Sequence, residues 1–148
     1  YPKCERVVAS PLKRCIQTAE YIYPNVDIEI CDKLKECDFG DFENKSYEDL
    51  KDNPDYQKWI DSNGELPFPN GETHEDFKNR CKDGFFESLT ERDTAFVIHG
   101  GSIMAIMQKL FGGNFYDYQV KNGCGYLVCL DTDEWLAEKG TLSVIEKF

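Results

Sequence analysis

Two short apolar runs, each followed directly by a helix, constrain this fold more than any other feature of the sequence. Residues 6–9 and 94–98 are rich in valine, isoleucine and phenylalanine, and each run is only as long as a strand. Such runs are typical of strands buried inside a sheet. Apolar residues then recur at helical spacing over 11–23 and 102–111, so the sequence predicts a strand–helix junction at both places.

The residues at these junctions indicate where each helix begins. Ser10 is a good N-cap residue, and Pro11 suits the first position of a helix. The glycine pair after His99 interrupts the second strand, and Ser102 is predicted to start its helix.

Strands alternating with helices predict an α/β fold, a three-layer sandwich with a mostly parallel sheet and helices on both faces. No linker or repeat divides the chain, so residues 1–148 are expected to form one domain. The other predicted elements are strands over 26–30, 123–131 and 141–148, a capping box at Ser46 and Asp49, a helix from Pro54 to about Ile60, loops over 32–45 and 61–71, and a helix capped by Thr73 and Asp76 that carries Phe77, Cys81, Phe85 and Leu89 on one face.

Charge and cysteine content exclude several classes of protein. The 17 Lys and Arg against 28 Asp and Glu give a net charge of −11, which disfavours nucleic-acid and anionic-membrane partners but permits a small anion in a local basic pocket. No apolar run approaches the roughly 20 residues of a membrane helix. Seven scattered cysteines form no Cys-x-x-Cys pair, so zinc and a disulfide framework are disfavoured and a reducing cytoplasm is expected. We also expect no cofactor.

Arg14 and His99 follow the two strand ends that open the junctions. Because the carboxyl ends of parallel strands meet at one edge of a sheet, both side chains are expected there beside helix N-termini. A guanidinium, an imidazole and free N–H groups suit a phosphate group. Taken singly, an arginine in a helix or a histidine after a strand is as often an ordinary surface or polar residue, so spacing alone leaves both readings open.

Four sequence blocks together resemble the histidine phosphatase superfamily, the phosphoglycerate mutase-like proteins. They occur in the family's order over about residues 6–105. The blocks are Ser10-Pro11-Leu12-Lys13-Arg14 with its continuation to Glu20, the segment from Leu34 to Glu43 that contains Glu36, Pro69-Asn70-Gly71-Glu72-Thr73 followed by Arg80, and Val97-Ile98-His99-Gly100-Gly101.

The resemblance implies roles for individual residues. Arg14 would bind the phosphoryl oxygens, His99 would donate hydrogen bonds to the phosphoryl group, and Glu36 would protonate the departing oxygen. Substrate contacts are implied at Ser10, Gly100 and Glu72, although Ser10 could simply cap its helix and Glu72 could serve a turn. Arg80 is more simply read as one half of a structural ion pair.

One family feature is absent from these residues. The family's nucleophile is a histidine in an Arg-His-Gly triplet, and this sequence contains no such triplet. Its two histidines are His99, already assigned, and His74, which we read as a surface residue. We therefore expect a chain that lacks the family's first strand and helix, roughly 40–50 residues on the usual length of such a unit, and that is inactive by itself.

The resemblance implies a phosphomonoester hydrolase that works through a phosphohistidine and needs no metal. The short connection between Glu36 and Pro69 favours the small phosphatase branch that includes the alpha-ribazole phosphatases. The partner would be a small phosphorylated metabolite. The alternatives are mutase-type phosphotransfer and a non-catalytic phosphate-binding module.

Overall fold

The computed structural model describes residues 1–62, 64, 66–130 and 142–147. Strand β1 (Arg6–Ala9), helix α1 (Lys13–Ile22) and strand β2 (Ile28–Ile30) come first. Helices α2 (Tyr47–Leu50), α3 (Pro54–Asp61) and α4 (His74–Glu87) follow two 3-10 turns at 32–34 and 40–42. Strand β3 (Thr94–Val97), helix α5 (Gly100–Phe111), a 3-10 turn at 115–118 and strands β4 (Tyr126–Leu130) and β5 (Leu142–Lys147) complete the order.

The sheet confirms the predicted α/β fold. Strands β2, β1 and β3 lie side by side in that order and are all parallel, with Val8 opposite both Glu29 and Phe96. Strands β4 and β5 form a separate antiparallel pair, with an irregularity between Leu127 and Val128. Strand β1 is therefore the centre of the three-stranded sheet.

Side chains of β1 alternate between two hydrophobic clusters, one on each face of the sheet. Val8 is completely buried in the larger cluster, to which α4 and α5 contribute Phe85 and Ile106. Val7 and Ala9 point to the opposite face and pack with Ala19 of α1. Helices thus cover both faces of the sheet, as predicted from the alternation of elements.

Strand β3 is less buried than its sequence predicts. All four residues, Thr94–Val97, are half-buried, whereas Val7, Val8 and Ala9 of β1 are fully buried. Within the described residues β1 has a hydrogen-bonded strand on each side, but β3 pairs with β1 alone. The open edge of β3 explains the difference, since interior strands of parallel sheets are normally covered all round.

Both predicted helix starts at the junctions are wrong by a few residues. The Ser10 N–H donates to the Val97 carbonyl at 3.1 Å, so Ser10 extends the sheet ladder and α1 begins only at Lys13, with Pro11 outside it. Helix α5 begins at Gly100, two residues before Ser102, whose buried hydroxyl donates to loop carbonyls instead of capping.

Most of the remaining boundaries follow the local signals, although β2 and β4 begin two and three residues later than predicted. The capping box at Ser46 and Asp49 is present, and Thr73 caps α4 by accepting the Asp76 N–H at 3.1 Å. Helix α4 ends at Glu87, so Leu89 packs on the core from beyond the helix. The expected strand limits at 131, 141 and 148 lie outside the described residues. None of the described helices is long and apolar enough to cross a membrane.

Candidate active site

The structure brings Arg14, Glu36 and His99 together at the carboxyl ends of β1 and β3. Arg14 lies in the first turn of α1, and His99 is the N-cap residue of α5. Arg14 Nη2 is 3.0 Å from His99 Nδ1, and Glu36 Oε2 is 3.8 Å from the same ring nitrogen. Three side chains far apart in sequence therefore surround one point at the sheet edge.

The partners of the His99 ring determine its tautomer. A guanidinium can only donate, so Nδ1, which faces Arg14, is the accepting nitrogen. Nε2 then carries the hydrogen and donates to Ser10 Oγ at 2.7 Å. Ser10 is completely buried, and its oxygen also accepts the Leu12 N–H at 3.3 Å. The Ser10 hydroxyl thus lies at Nε2, the ring nitrogen that does not face Arg14. Its role as a substrate contact stays a prediction.

Burial and charge keep His99 neutral in this site. Loss of solvation, followed by the charge of Arg14, lowers the pKa of His99 to about 4. The ring is therefore uncharged at neutral pH, and Arg14 supplies the positive charge of the pocket. An entering phosphoryl dianion would favour the protonated ring, since an opposite charge stabilises the imidazolium.

The carboxyl group of Glu36 has the opposite tendency. Burial raises its pKa, against the lowering effect of the Cys37 N–H, which donates to Oε1 at 3.1 Å, and of Arg14. A raised pKa favours the protonated acid. The group therefore suits proton donation to an oxygen that leaves beside it.

The two glycines after His99 have different surroundings. A Cβ on Gly101 would lie 2.6 Å from Glu36 Oε1, whereas a Cβ on Gly100 would meet nothing within 4 Å. The second glycine therefore makes room for the Glu36 carboxyl group at the start of α5. The first glycine is unobstructed, and its contact with substrate stays a prediction.

Glu72 and Arg80 form a half-buried ion pair next to the loop that carries Glu36. Arg80 Nε and Nη2 donate to the two carboxylate oxygens of Glu72 at 2.8 and 2.7 Å. Arg80 also reaches backbone carbonyls at 33, 35 and 36. An ion pair was predicted for Arg80, but its attachment to the Glu36 loop was not, and no spacing rule connects positions 44 residues apart.

Cys15 is the site residue that the sequence did not reveal. Its buried Sγ lies 3.5 Å from His99 Nε2 and 3.7 Å from Nδ1, and burial raises the pKa of the thiol. The available signal was helical periodicity: Cys15 and Ala19, four residues apart, are the buried residues of α1.

His74 is not the surface residue that was predicted. The first position of α4 turns its ring onto Phe68, with centroids 5.3 Å apart and an angle of 26° between the planes. Burial, followed by the charge of Lys78, lowers the pKa of His74. Its side chain packs in an aromatic cluster with Phe68, Trp59 and Tyr56.

No group of three or more His, Cys, Asp or Glu side chains in the described part of the chain is arranged to hold a metal ion. All seven cysteines lie in that part and are free.

Comparison with known sequences shows the family to which this chain belongs. The family described as "Histidine phosphatase superfamily (branch 1)" matches residues 2–141. An uncharacterized phosphatase, PhoE, of Bacillus subtilis (strain 168) is 31% identical over 139 residues. The match covers 90% of this chain and 65% of the relative, so this chain spans just under two thirds of the relative's length.

Solved structures share the fold. The alpha-ribazole phosphatase of Shigella flexneri has a TM-score of 0.78 at 24% identity, over 96% of this chain and 73% of its own. The phosphoglycerate mutase of Thermus thermophilus has a TM-score of 0.67 at 23% identity, over 100% of this chain and 74% of its own. At these identities the likeness establishes a phosphoglycerate mutase-like fold.

Proposed function

Because this chain belongs to branch 1 of the histidine phosphatase superfamily, we propose that the complete protein hydrolyses small phosphomonoesters through a phosphohistidine intermediate. The family accounts for phosphatase-type chemistry. The phosphohistidine route and the class of substrate are our proposal.

The meeting of Arg14, Glu36 and His99 carries this proposal. The guanidinium and the imidazole are 3.0 Å apart, and the carboxyl group is 3.8 Å from the imidazole. Phosphoryl transfer needs mainly positioning and charge stabilisation of the equatorial oxygens. Arg14 and a protonated His99 would supply both, and Glu36 would give its proton to the leaving oxygen.

The proposed reaction has two balanced steps. In the first, a nucleophilic imidazole forms a bond to phosphorus while the bond from phosphorus to the ester oxygen breaks, and that oxygen takes the proton of Glu36. In the second, water attacks the phosphohistidine, the nitrogen–phosphorus bond breaks, and the Glu36 carboxylate accepts the proton of the water. The products are an alcohol and inorganic phosphate.

We place the nucleophile outside residues 1–148. His99 is held between Arg14 and Ser10 in a position suited to stabilising the phosphoryl group. His74 is stacked on Phe68 and follows no strand. Neither histidine lies in an Arg-His-Gly triplet.

The free thiols, none paired in a disulfide, support a reducing cytoplasm as the compartment.

The test is Glu36→Gln in the complete protein, measured on an alkyl phosphate and on p-nitrophenyl phosphate. A general acid matters most for a basic leaving oxygen, so kcat/KM for the alkyl ester should fall by roughly 10²-fold or more, with a much smaller loss for the aryl ester. Glu48→Gln, on the exposed face of α2, is the matched control and should leave both values unchanged.

Other outcomes would select the alternatives. Equal losses on both esters would remove Glu36 from the acid role. Isomerised phosphate ester in place of inorganic phosphate would indicate a mutase. Phosphate binding that requires Arg14, with no turnover of any ester, would indicate a binding module.

A further inference from the structure

Arg80 connects three backbone carbonyls of the Glu36 loop to one carboxylate. Its Nη1 donates to the carbonyls of Lys33 and Lys35 at 2.7 and 3.1 Å. Its Nη2 reaches the carbonyl of Glu36 itself at 3.4 Å and Glu72 Oε2 at 2.7 Å, while Nε donates to Glu72 Oε1 at 2.8 Å. Every nitrogen of the guanidinium is thus engaged, either with the loop or with Glu72.

The segment that carries Glu72 also pairs with the loop that follows Glu36. The Glu72 N–H donates to the Asp38 carbonyl at 2.9 Å, and the Asp41 N–H donates to the Pro69 carbonyl at 2.9 Å. The approach is close: a Cβ on Gly71 would lie 2.5 Å from the Asp38 carbonyl oxygen. Arg80 therefore holds the loop on one side of Glu36, and the 69–72 segment holds it on the other.

The ion pair is shielded and leaves little of either charge for substrate. The side chains of Glu72 and Arg80 are 16% and 18% exposed, and both carboxylate oxygens face the guanidinium. A planar fork that binds a carboxylate with two nitrogens while reaching several carbonyls is a geometry that lysine cannot reproduce.

We propose that Glu72 and Arg80 are a positioning pair, which holds the Glu36 backbone so that its carboxyl group stays beside His99 Nδ1. This gives Glu72 a task other than substrate contact, and gives Arg80 a task beyond an ion pair. The inference rests on the proposed function, in which Glu36 is the proton donor.

The experiment compares Arg80→Lys and Glu72→Gln with Glu75→Gln in the complete protein. Glu75 lies on α4 and pairs with Lys109 of α5 at 2.6 Å, so its variant also loses one ion pair of this helix but no contact to the Glu36 loop. Three quantities are measured: kcat and KM on an alkyl phosphate and on p-nitrophenyl phosphate, Tm, and the pKa of Glu36 from the carboxyl ¹³C signal that Glu36→Gln removes.

We expect Arg80→Lys and Glu72→Gln to lower kcat on the alkyl ester by roughly 10-fold to 100-fold, with a smaller loss on the aryl ester and a nearly unchanged KM. The pKa of Glu36 should fall toward its ordinary value as water reaches the released loop. Because Arg80→Lys keeps the positive charge, a change of this pKa in that variant comes from a change in the position of the Glu36 carboxyl group. In a Glu36→Gln background, neither variant should change the alkyl-to-aryl ratio further. Glu75→Gln should change neither the ratio nor the pKa of Glu36.

Failure of this inference differs from failure of the proposed function. A lower Tm with an unchanged ratio and an unchanged Glu36 pKa in Arg80→Lys would make the pair purely structural and overturn the inference. If Glu36→Gln itself leaves the ratio unchanged, the acid role is wrong. The ¹³C titration then still decides whether Arg80 positions the carboxyl group, because an unchanged pKa in Arg80→Lys overturns the inference and a lowered pKa supports it.

Discussion

The carboxyl group of Glu36 lies in space that is free because residue 101 is a glycine and has no side chain. Alanine at position 101 would place its Cβ 2.6 Å from Glu36 Oε1, and the end of a flexible side chain moves more readily than a helix backbone. We expect Gly101→Ala to displace the carboxyl group and to lower kcat/KM on an alkyl phosphate by roughly 10-fold or more relative to p-nitrophenyl phosphate. The measurement is the ratio of the two kcat/KM values in the complete protein, with Tm recorded beside it.

The neighbouring glycine is the control for this prediction. Gly100→Ala adds the same methyl group where nothing lies within 4 Å, so it should change the rates on both esters by the same factor. An unchanged ratio in Gly101→Ala, or equal changes of the ratio in both variants, would show that Gly101 does not make room for Glu36.

At the scale of elements, helix α4 carries both Arg80 and the core residues Phe77, Cys81 and Phe85. Its N-terminus depends on Thr73, whose hydroxyl oxygen accepts the Asp76 N–H at 3.1 Å. Thr73→Ala should lower the free energy of unfolding by about 1 kcal/mol, because a helix N–H loses its acceptor. Urea denaturation of the complete protein measures this change. Thr73→Ser keeps the oxygen and should lose much less; equal losses in the two variants would contradict a capping role.

At the scale of the whole molecule, we expect the outer edge of β3 to be the weak point of residues 1–148. Within the described ranges this edge has no hydrogen-bonded strand, and it bears the half-buried apolar residues Ala95, Phe96 and Val97. Unpaired, partly apolar strand edges favour association with other chains. We expect residues 1–148 produced alone to aggregate or fold partially, and to release no phosphate from p-nitrophenyl phosphate.

Light scattering, thermal unfolding and a phosphate-release assay check this expectation, with the complete protein as the comparison. A monomer with one sharp unfolding transition would refute the weakness of the β3 edge. Turnover that is abolished by His99→Ala or His74→Ala would show that residues 1–148 contain their own nucleophile.

Local sequence rules located most of the elements, although they misplaced both helix starts at the junctions. Some elements depend only on neighbours within a few residues and can therefore be predicted from the local sequence. Examples are the strand at 6–9, the cap at Thr73 and the capping box at Ser46. Arg14 and His99 became candidates because parallel strands bring their carboxyl ends to one edge, but their roles came from the family resemblance. Glu36 was found through the family resemblance of its flanking residues.

The tertiary structure decided what each side chain does. The sequence offers Ser10 as a helix cap or a substrate contact, and in the structure its hydroxyl accepts a hydrogen bond from His99, 89 residues away. His74 was read as exposed, but it stacks on Phe68. Arg80 reaches the Glu36 carbonyl across 44 residues. Propensities and periodicity describe how a residue interacts with its own turn or strand, whereas hydrogen-bond partners and burial depend on which distant backbone the fold brings within about 3 Å.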